Sequence, residues 1–444
     1  MNGEPTPRVL MLGWEYPPRF TGGLGKASQG IAHGLSDLGL DVLFLLPHFT
    51  PRRSGKHLRV AGAREWLLAC GARHITPDAG KLQWLDADIH LTPYARPSTH
   101  LAANATIKPT HRPLDRPVQD KNAIYGSDLG HQVKRFADYA LTVSDRARAD
   151  LVHAHDWMTF PAAVAVAERH HLPLFLHVHS TEFDRSGDGA NPAIAAIERR
   201  ACQRATHVFA VSDYTRHVLI THYDVPADKV SVVYNAPDGP LPALPHSDRS
   251  RRQPWIVFLG RLTFQKGPDH FLTAAAIAAK HNPKARFLIC GSGDMRERLQ
   301  RQAQDLGVAD RVEFRGFLTP GRVDRLLAQA SLLVMPSVSE PFGLVALEAL
   351  RAGTPVIVSR QSGVREVIGH SLQADFWDHA KLADQMLAVL RLPILAEQLV
   401  DEGRAQLASL SWDTSAIAIV RGYAQAGIAL GPARLAIDGE THGA

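Results

Sequence analysis

Short apolar runs alternate along this chain with stretches whose apolar residues recur every three or four positions. That alternation marks parallel strands joined by crossover helices. In the first half it predicts strands at Val9–Trp14, Asp41–Pro47, Leu151–His155, Leu174–His179, His207–Ser212 and Val230–Tyr234. In the second half it predicts Trp255–Gly260, Arg286–Gly291, Val312–Arg315, Leu332–Pro336 and Pro355–Ser359. Between the halves, Pro237–Pro254 is rich in Pro, Ser and Arg and reads as a linker. The expected class is α/β, with two doubly wound, Rossmann-like domains facing each other across a cleft. Residues 1–240 and 255–410 would form the domains, 241–254 the linker, and 411–430 a terminal helix joining the first domain. Open α/β sheets take ligands beyond the carboxyl ends of their strands, so the cleft is the expected site. His48–Ser127 breaks the pattern and is rich in Pro, His and Arg. Such a stretch is expected to be a functional lid or a disordered insertion.

At 444 residues the chain is too long for one core. Its 45% hydrophobic and 21% charged residues are those of a soluble globular protein. The net charge of +5 favours anionic ligands or a membrane surface, but no nucleic-acid module accompanies it, so no nucleic-acid partner is expected. Cys70, Cys202 and Cys290 form no CxxC pair, which argues against a disulfide framework and for a reducing cytoplasm. No apolar run reaches the roughly 20 residues of a membrane span, so any membrane contact is expected to be peripheral. The oligomeric state is left open.

The richest word is Ser339-Glu340-Pro341-Phe342-Gly343-Leu344-Val345-Ala346-Leu347-Glu348, behind an apolar strand. Pro341 suits a first helical position, which would leave the amides of Phe342, Gly343 and Leu344 free at a helix tip, a ready anion site. On one helix Glu340 and Glu348 would lie roughly 12 Å apart along the axis, at 1.5 Å per residue. They could not share a proton there, but they could hold the two ends of an elongated ligand whose phosphates sit at the tip. A nucleotide-diphosphate sugar has that shape. An ordinary capped amphipathic helix would read the same in isolation.

Three further words follow predicted strands. Thr21-Gly22-Gly23-Leu24-Gly25-Lys26 lets backbone amides approach a phosphate or sugar, although it could be a plain tight turn. It lacks the G-x-G-x-x-G spacing of a dinucleotide site. Gly260-Arg261-Leu262 and Lys266-Gly267 place two cations where they could hold a diphosphate. Gly291-Ser292-Gly293-Asp294 could pack against a base or phosphate. In the first half, His153-Ala154-His155-Asp156-Trp157 and His177-Val178-His179 send alternate rings to one sheet face. No carboxylate or Cys completes a ligand set there, and 23 histidines make chance pairs common, so no metal is expected. A His at a strand end is better used to bond a sugar hydroxyl or polarise a leaving group.

Taken in order, these words resemble the retaining glycosyltransferases of family 4, built on the GT-B fold. Gly260-Arg261-Leu262, Lys266-Gly267, Glu340-Pro341-Phe342-Gly343-Leu344, Glu348-Ala349 and Gly353-Thr354-Pro355 carry the likeness. The first half is similar to bacterial glycogen and starch synthases in Gly22-Gly23-Leu24-Gly25, Tyr125-Gly126, Arg135-Phe136-Ala137 and His153–Trp157. Those synthases commonly carry Asp where Lys26 stands, and their second carboxylate position is usually not Glu.

The resemblance implies transfer of a hexosyl unit, by expectation glucosyl, from an ADP- or UDP-glucose type donor to a carbohydrate acceptor, an α-glucan if the likeness to glycogen synthase extends to the acceptor. The nucleotide sugar is a substrate, and no cofactor or metal is implied. Arg261 and Lys266 would neutralise the diphosphate, helped by the Phe342, Gly343 and Leu344 amides. Glu340 would hold the donor sugar, Glu348 the ribose, and His179 the transferred sugar. Gly22, Gly23, Gly291 and Gly293 would border the donor, with Lys26, Asp156 and Trp157 on the acceptor side. A glycosyltransferase for a cell-envelope or lipid-linked glycan is an alternative. So are a phosphorylase or epimerase of similar fold and a non-catalytic nucleotide-sugar sensor. A phosphorylase would need a pyridoxal phosphate lysine, for which no matching neighbourhood is present.

Overall fold

The computed structural model describes residues 6–18, 22–49, 52–70, 129–239, 241–243 and 253–430. The first sheet contains β1 (Arg8–Leu12), β2 (Asp41–Leu46), β3 (Arg52–Arg53), β4 (Leu58–Gly62), β5 (Leu151–His155), β6 (Leu174–Val178), β7 (His207–Ala210) and β8 (Val230–Val232). Its order is β3-β4-β2-β1-β5-β6-β7-β8, parallel except for the β3–β4 edge. The second contains β9 (Gln253–Leu259), β10 (Arg286–Cys290), β11 (Val312–Gly316), β12 (Ala330–Met335), β13 (Val356–Ser359) and β14 (Leu372–Ala374), in the order β11-β10-β9-β12-β13-β14. Strands β5, β6, β7 and β13 are buried at every position, which is why they read as unbroken apolar runs relieved mainly by histidine.

Each sheet reverses its winding once, between β1 and β5 in the first and between β9 and β12 in the second. Chain leaving these four strands must splay apart, which opens a crevice at their carboxyl ends. Helix α1 (Gly23–Asp37) starts beside the first crevice and packs against the terminal helix, Trp412–Gln425. Ala416, Ile419, Val420 and Tyr423 of that helix are buried in the core under the first sheet. Ser411 opens it with a reciprocal cap to Thr414.

Three expectations need correction. Residues 52–69, inside the stretch read as patternless, form β3, β4 and a helix at Ala63–Ala69. Arg52, Arg53 and Arg59 broke up an alternation too short to stand out. Residues 71–127 of that stretch, with Tyr125 and Gly126, lie outside the described residues, as do Thr21 and most of the linker. Strand β14 was not anticipated, because its three residues are too few for a period. The helix expected from Pro341 starts at Leu344 and ends at Arg351. Gly343 has φ +110, a left-handed conformation that breaks any helix entering from Pro341. Glu340 therefore lies off the helix, bridged in parallel to Ser362, and the spacing worked out for one continuous helix does not apply.

Candidate active site

The two crevices face each other and merge into one solvent-open cleft of about 1750 Å³. From the first lobe Gly22, Gly23, Lys26, Asp156, Trp157 and His179 line it. From the second come Arg261, Lys266, Gly291, Glu340, Phe342, Gly343, Leu344 and Glu348. Thus fourteen of the fifteen residues singled out in the sequence converge here, from segments hundreds of positions apart.

Gly293 is not among the lining residues; a Cβ there would meet the Leu262 carbonyl oxygen at 2.3 Å, so close backbone packing by itself demands glycine at this position. Gly291 has φ +135, and a Cβ on it would lie 1.8 Å from the Gly260 carbonyl oxygen; only glycine lets these two loops touch. Gly23 faces Leu344 of the opposite lobe, where a Cβ would come within 3.2 Å of Cδ1.

The second lobe's charges are paired before any ligand arrives. Lys266 Nζ donates to both oxygens of Glu340 at 2.8 and 2.7 Å, and the Ser337 hydroxyl donates to the same carboxylate at 3.2 Å. Among the described residues the amides of Phe342, Gly343 and Leu344 have no acceptor. They stand at the start of helix Leu344–Arg351, where the helix dipole also favours an anion.

Lys26 crosses the cleft to bond Glu348, with Asp238 at 3.9 Å. Burial works against the Lys26 charge, but the Glu348 carboxylate more than offsets this and raises its pKa. Glu348 is also raised, because burial outweighs the help from Lys26. The lobes are tied at further points. Ser212 Oγ donates to the Pro341 carbonyl at 2.6 Å, and the Asp213 and Tyr214 amides donate to Glu366 at 2.8 and 2.9 Å. Ser339 Oγ donates to Asp184 at 2.7 Å.

On the first lobe Asp156 caps the end of β6. Its Oδ1 accepts the amides of His179 at 2.7 Å and Ser180 at 3.3 Å. This bond set holds Asp156 at φ +59, a region that Asp tolerates better than most residues. Burial, opposed by Arg185 and those two amides, pushes its pKa up to about 7. His179 Nε2 meets His155 Nδ1 at 2.9 Å, and burial pushes the His179 pKa down to about 3.

Behind His179, the rings of His153, His155 and His177 are fully buried, and one nitrogen from each lies within 4.8 Å of the others. Burial, and then the neighbouring histidines, push each of these rings towards its neutral form. Among the described residues the group includes no carboxylate or thiolate, so a divalent ion there would meet three neutral ligands.

Sequence reasoning assigned no role to Glu15, Arg185, Gln265 and Asn235, all buried and all lining the cleft. Glu15 lies three residues past the end of β1, so the rule placing ligands at strand ends could have found it. Arg185 donates to Glu182 at 3.1 Å, to Glu198 at 2.7 Å and to the Ser180 carbonyl at 3.1 Å. Nothing in the sequence distinguishes this buried guanidinium from a surface one.

Among the described residues no helix is long and apolar enough to cross a membrane. The family description "Glycosyl transferases group 1" matches residues 245–406, and "Glycosyltransferase Family 4" matches 125–238. An uncharacterized glycosyltransferase of Methanocaldococcus jannaschii is 29% identical over 85% of this chain and 87% of its own length. Glycogen synthase of Mycobacterium tuberculosis is 26% identical over 94% of each chain. A D-inositol 3-phosphate glycosyltransferase of Streptomyces scabiei is 31% identical over 62% of this chain and 68% of its own. Among solved structures, sucrose-phosphate synthase from Thermosynechococcus elongatus superposes with a TM-score of 0.70 at 18% identity, covering 94% of this chain and 98% of that one. Anabaena HepE, solved with UDP and glucose, gives 0.62 at 18% identity, covering 94% and 99%. Two facing parallel-sheet lobes, a shared interlobe cleft and these likenesses lead to one conclusion: the chain belongs to the group 1 glycosyl transferases and has the GT-B fold.

Proposed function

We propose that this protein transfers a glucosyl unit from a nucleoside-diphosphate glucose to a carbohydrate acceptor, with retention of configuration and without a metal ion. The observation that carries this reading is the convergence of Arg261, Lys266 and the open Phe342–Leu344 amides on one wall of the cleft, opposite Gly23 and His179. Fixed cations and unpaired amides stabilise a departing diphosphate as a metal ion would elsewhere. Lys266 gives up part of its bond to Glu340 when the phosphate arrives, which frees that carboxylate for sugar hydroxyls. Glu348 takes the ribose, and His179 bonds the transferred sugar.

Asp156, Trp157 and Glu15 then face the acceptor. No nucleophile is required of the protein, because the leaving phosphate can accept the acceptor's proton on the face it vacates. A glucose donor is supported by the glycogen synthase relative and by the UDP and glucose bound to HepE. The inositol phosphate and sucrose-phosphate relatives make a phosphorylated acceptor the second reading.

A thermal-shift panel of ADP-, UDP- and GDP-sugars tests the donor. A ligand at 100 times its Kd stabilises by about 2.7 kcal/mol, which is easily read. NMR of the product's anomeric proton then reads the stereochemistry. Stabilisation by no nucleotide sugar, or an inverted product, overturns the reading.

A further inference from the structure

His179 meets the cleft with one ring nitrogen and the protein interior with the other. Its Nε2 is taken by His155 Nδ1 at 2.9 Å, and its Nδ1 is not among the buried, unpartnered nitrogens. Nδ1 is therefore the atom left for a ligand. The ring behind it is different: His155 is fully buried, and its far nitrogen, Nε2, has no partner.

One proton lies between the two rings, and two arrangements are possible while both are neutral. If His179 donated it, His155 would carry its own hydrogen on Nε2, an N–H with no acceptor in a dry core. If His155 donates it, the atom left over at Nε2 is a bare lone pair beside the rings of His153 and Phe44, whose centroids lie 4.9 and 6.0 Å from that of His155. A buried N–H without an acceptor forfeits a hydrogen bond and is rarely found, whereas an under-satisfied acceptor is met more often. The second arrangement wins. It puts the remaining hydrogen of His179 on Nδ1.

We propose that His155 is a positioning residue: by donating from Nδ1 to His179 Nε2 it locks His179 in the Nδ1–H tautomer, so that His179 meets the sugar as a hydrogen-bond donor. This deepens the glycosyl-transfer reading and, for the sugar, rests on it. The partner of His179 is then an oxygen lone pair, a hydroxyl or leaving oxygen, and His179 does not serve as a base. Burial keeps both rings uncharged, so the device works across the neutral pH range.

The test is ¹⁵N-histidine NMR of the full chain, with His179 assigned by its loss in His179→Gln. The expected spectrum shows His179 with a protonated Nδ1. In His155→Leu, which removes the donor, the Nε2–H form gains population. His155→Asn, whose amide can still donate, keeps the wild-type tautomer. Where turnover of a nucleotide sugar is measurable, His155→Leu lowers kcat on the order of tenfold or more, as loss of a histidine's supporting partner does elsewhere. Donor KM moves less, and His155→Asn restores kcat. A wild-type His179 protonated on Nε2 overturns the proposal even if neither variant folds. So does a folded His155→Leu protein whose His179 tautomer is unchanged. The tautomer is read without substrate, so an inactive protein would count against the functional reading and leave this test standing.

Discussion

His177 should make the first lobe sensitive to acid, by an amount that can be worked out. Its ring is fully buried between β5 and β7 neighbours, and neither nitrogen has a partner. Burial first, then the nearby His179, His155 and His153, hold its pKa well below the ordinary 6.5. The folded ring stays neutral, and only the unfolded chain takes up a proton as pH falls. Stability is therefore lost as pH drops below about 6.5. Between pH 7 and pH 5 one such histidine costs about 1.9 kcal/mol by proton linkage.

His177→Phe keeps a flat ring against Phe209, whose centroid lies 5.9 Å away, and removes the titration. Overpacking costs roughly 1–3 kcal/mol but does not depend on pH. Urea titrations at pH 5, 6 and 7, followed by hydrogen-exchange mass spectrometry of peptides from β5 and β6, isolate the first lobe. The stability difference between variant and parent should move by about 1.9 kcal/mol in favour of the variant from pH 7 to pH 5. A difference that stays constant with pH would show that His177 keeps its ordinary titration in the fold, and the reasoning would fail.

Other consequences are direct. Arg261→Ala and Lys266→Ala should each lower turnover on the order of 10²-fold, as loss of a preorganised charge contact does. Wild-type turnover at saturating donor in both would remove the phosphate grip. Glu348→Ala should weaken donor binding by roughly 1.5–3 kcal/mol, the worth of a hydrogen bond to a charge. That loss should disappear with a donor lacking the ribose hydroxyls, and a loss that persists would rule out ribose contact. Gly343→Ala forces φ +110 on a residue with a Cβ, 2.8 Å from Met335 Cε. It should cost roughly 1–3 kcal/mol of stability, read as a lower melting temperature. An unchanged melting point would contradict that helix start.

The sheets were legible because their central strands are buried on both faces and so read as continuous apolar runs ended by Gly, Pro or Ser. The cleft residues were legible because strand ends place them there, whatever their role. The pairings were not. Lys266 reaches Glu340 across 74 positions and Lys26 reaches Glu348 across 322, and no period in a sequence links residues so far apart. The late helix start was hidden because Pro341 gives a valid start signal, while the left-handed turn at Gly343 leaves no mark beyond the glycine itself. Lys26 was expected on the acceptor side; its contact with Glu348 sets it against a second-lobe carboxylate expected to hold the donor.

The central claim is that the interlobe cleft grips a diphosphate with Arg261, Lys266 and backbone amides, unaided by a divalent ion. Calorimetric titration of the protein with ADP and UDP, in excess EDTA and again with added magnesium or manganese, tests it most directly. The account predicts the same affinity with chelator as with metal, and a loss of tenfold or more in Lys266→Ala, about 1.4 kcal/mol or above. Binding that vanishes in EDTA and returns only with the metal would contradict it.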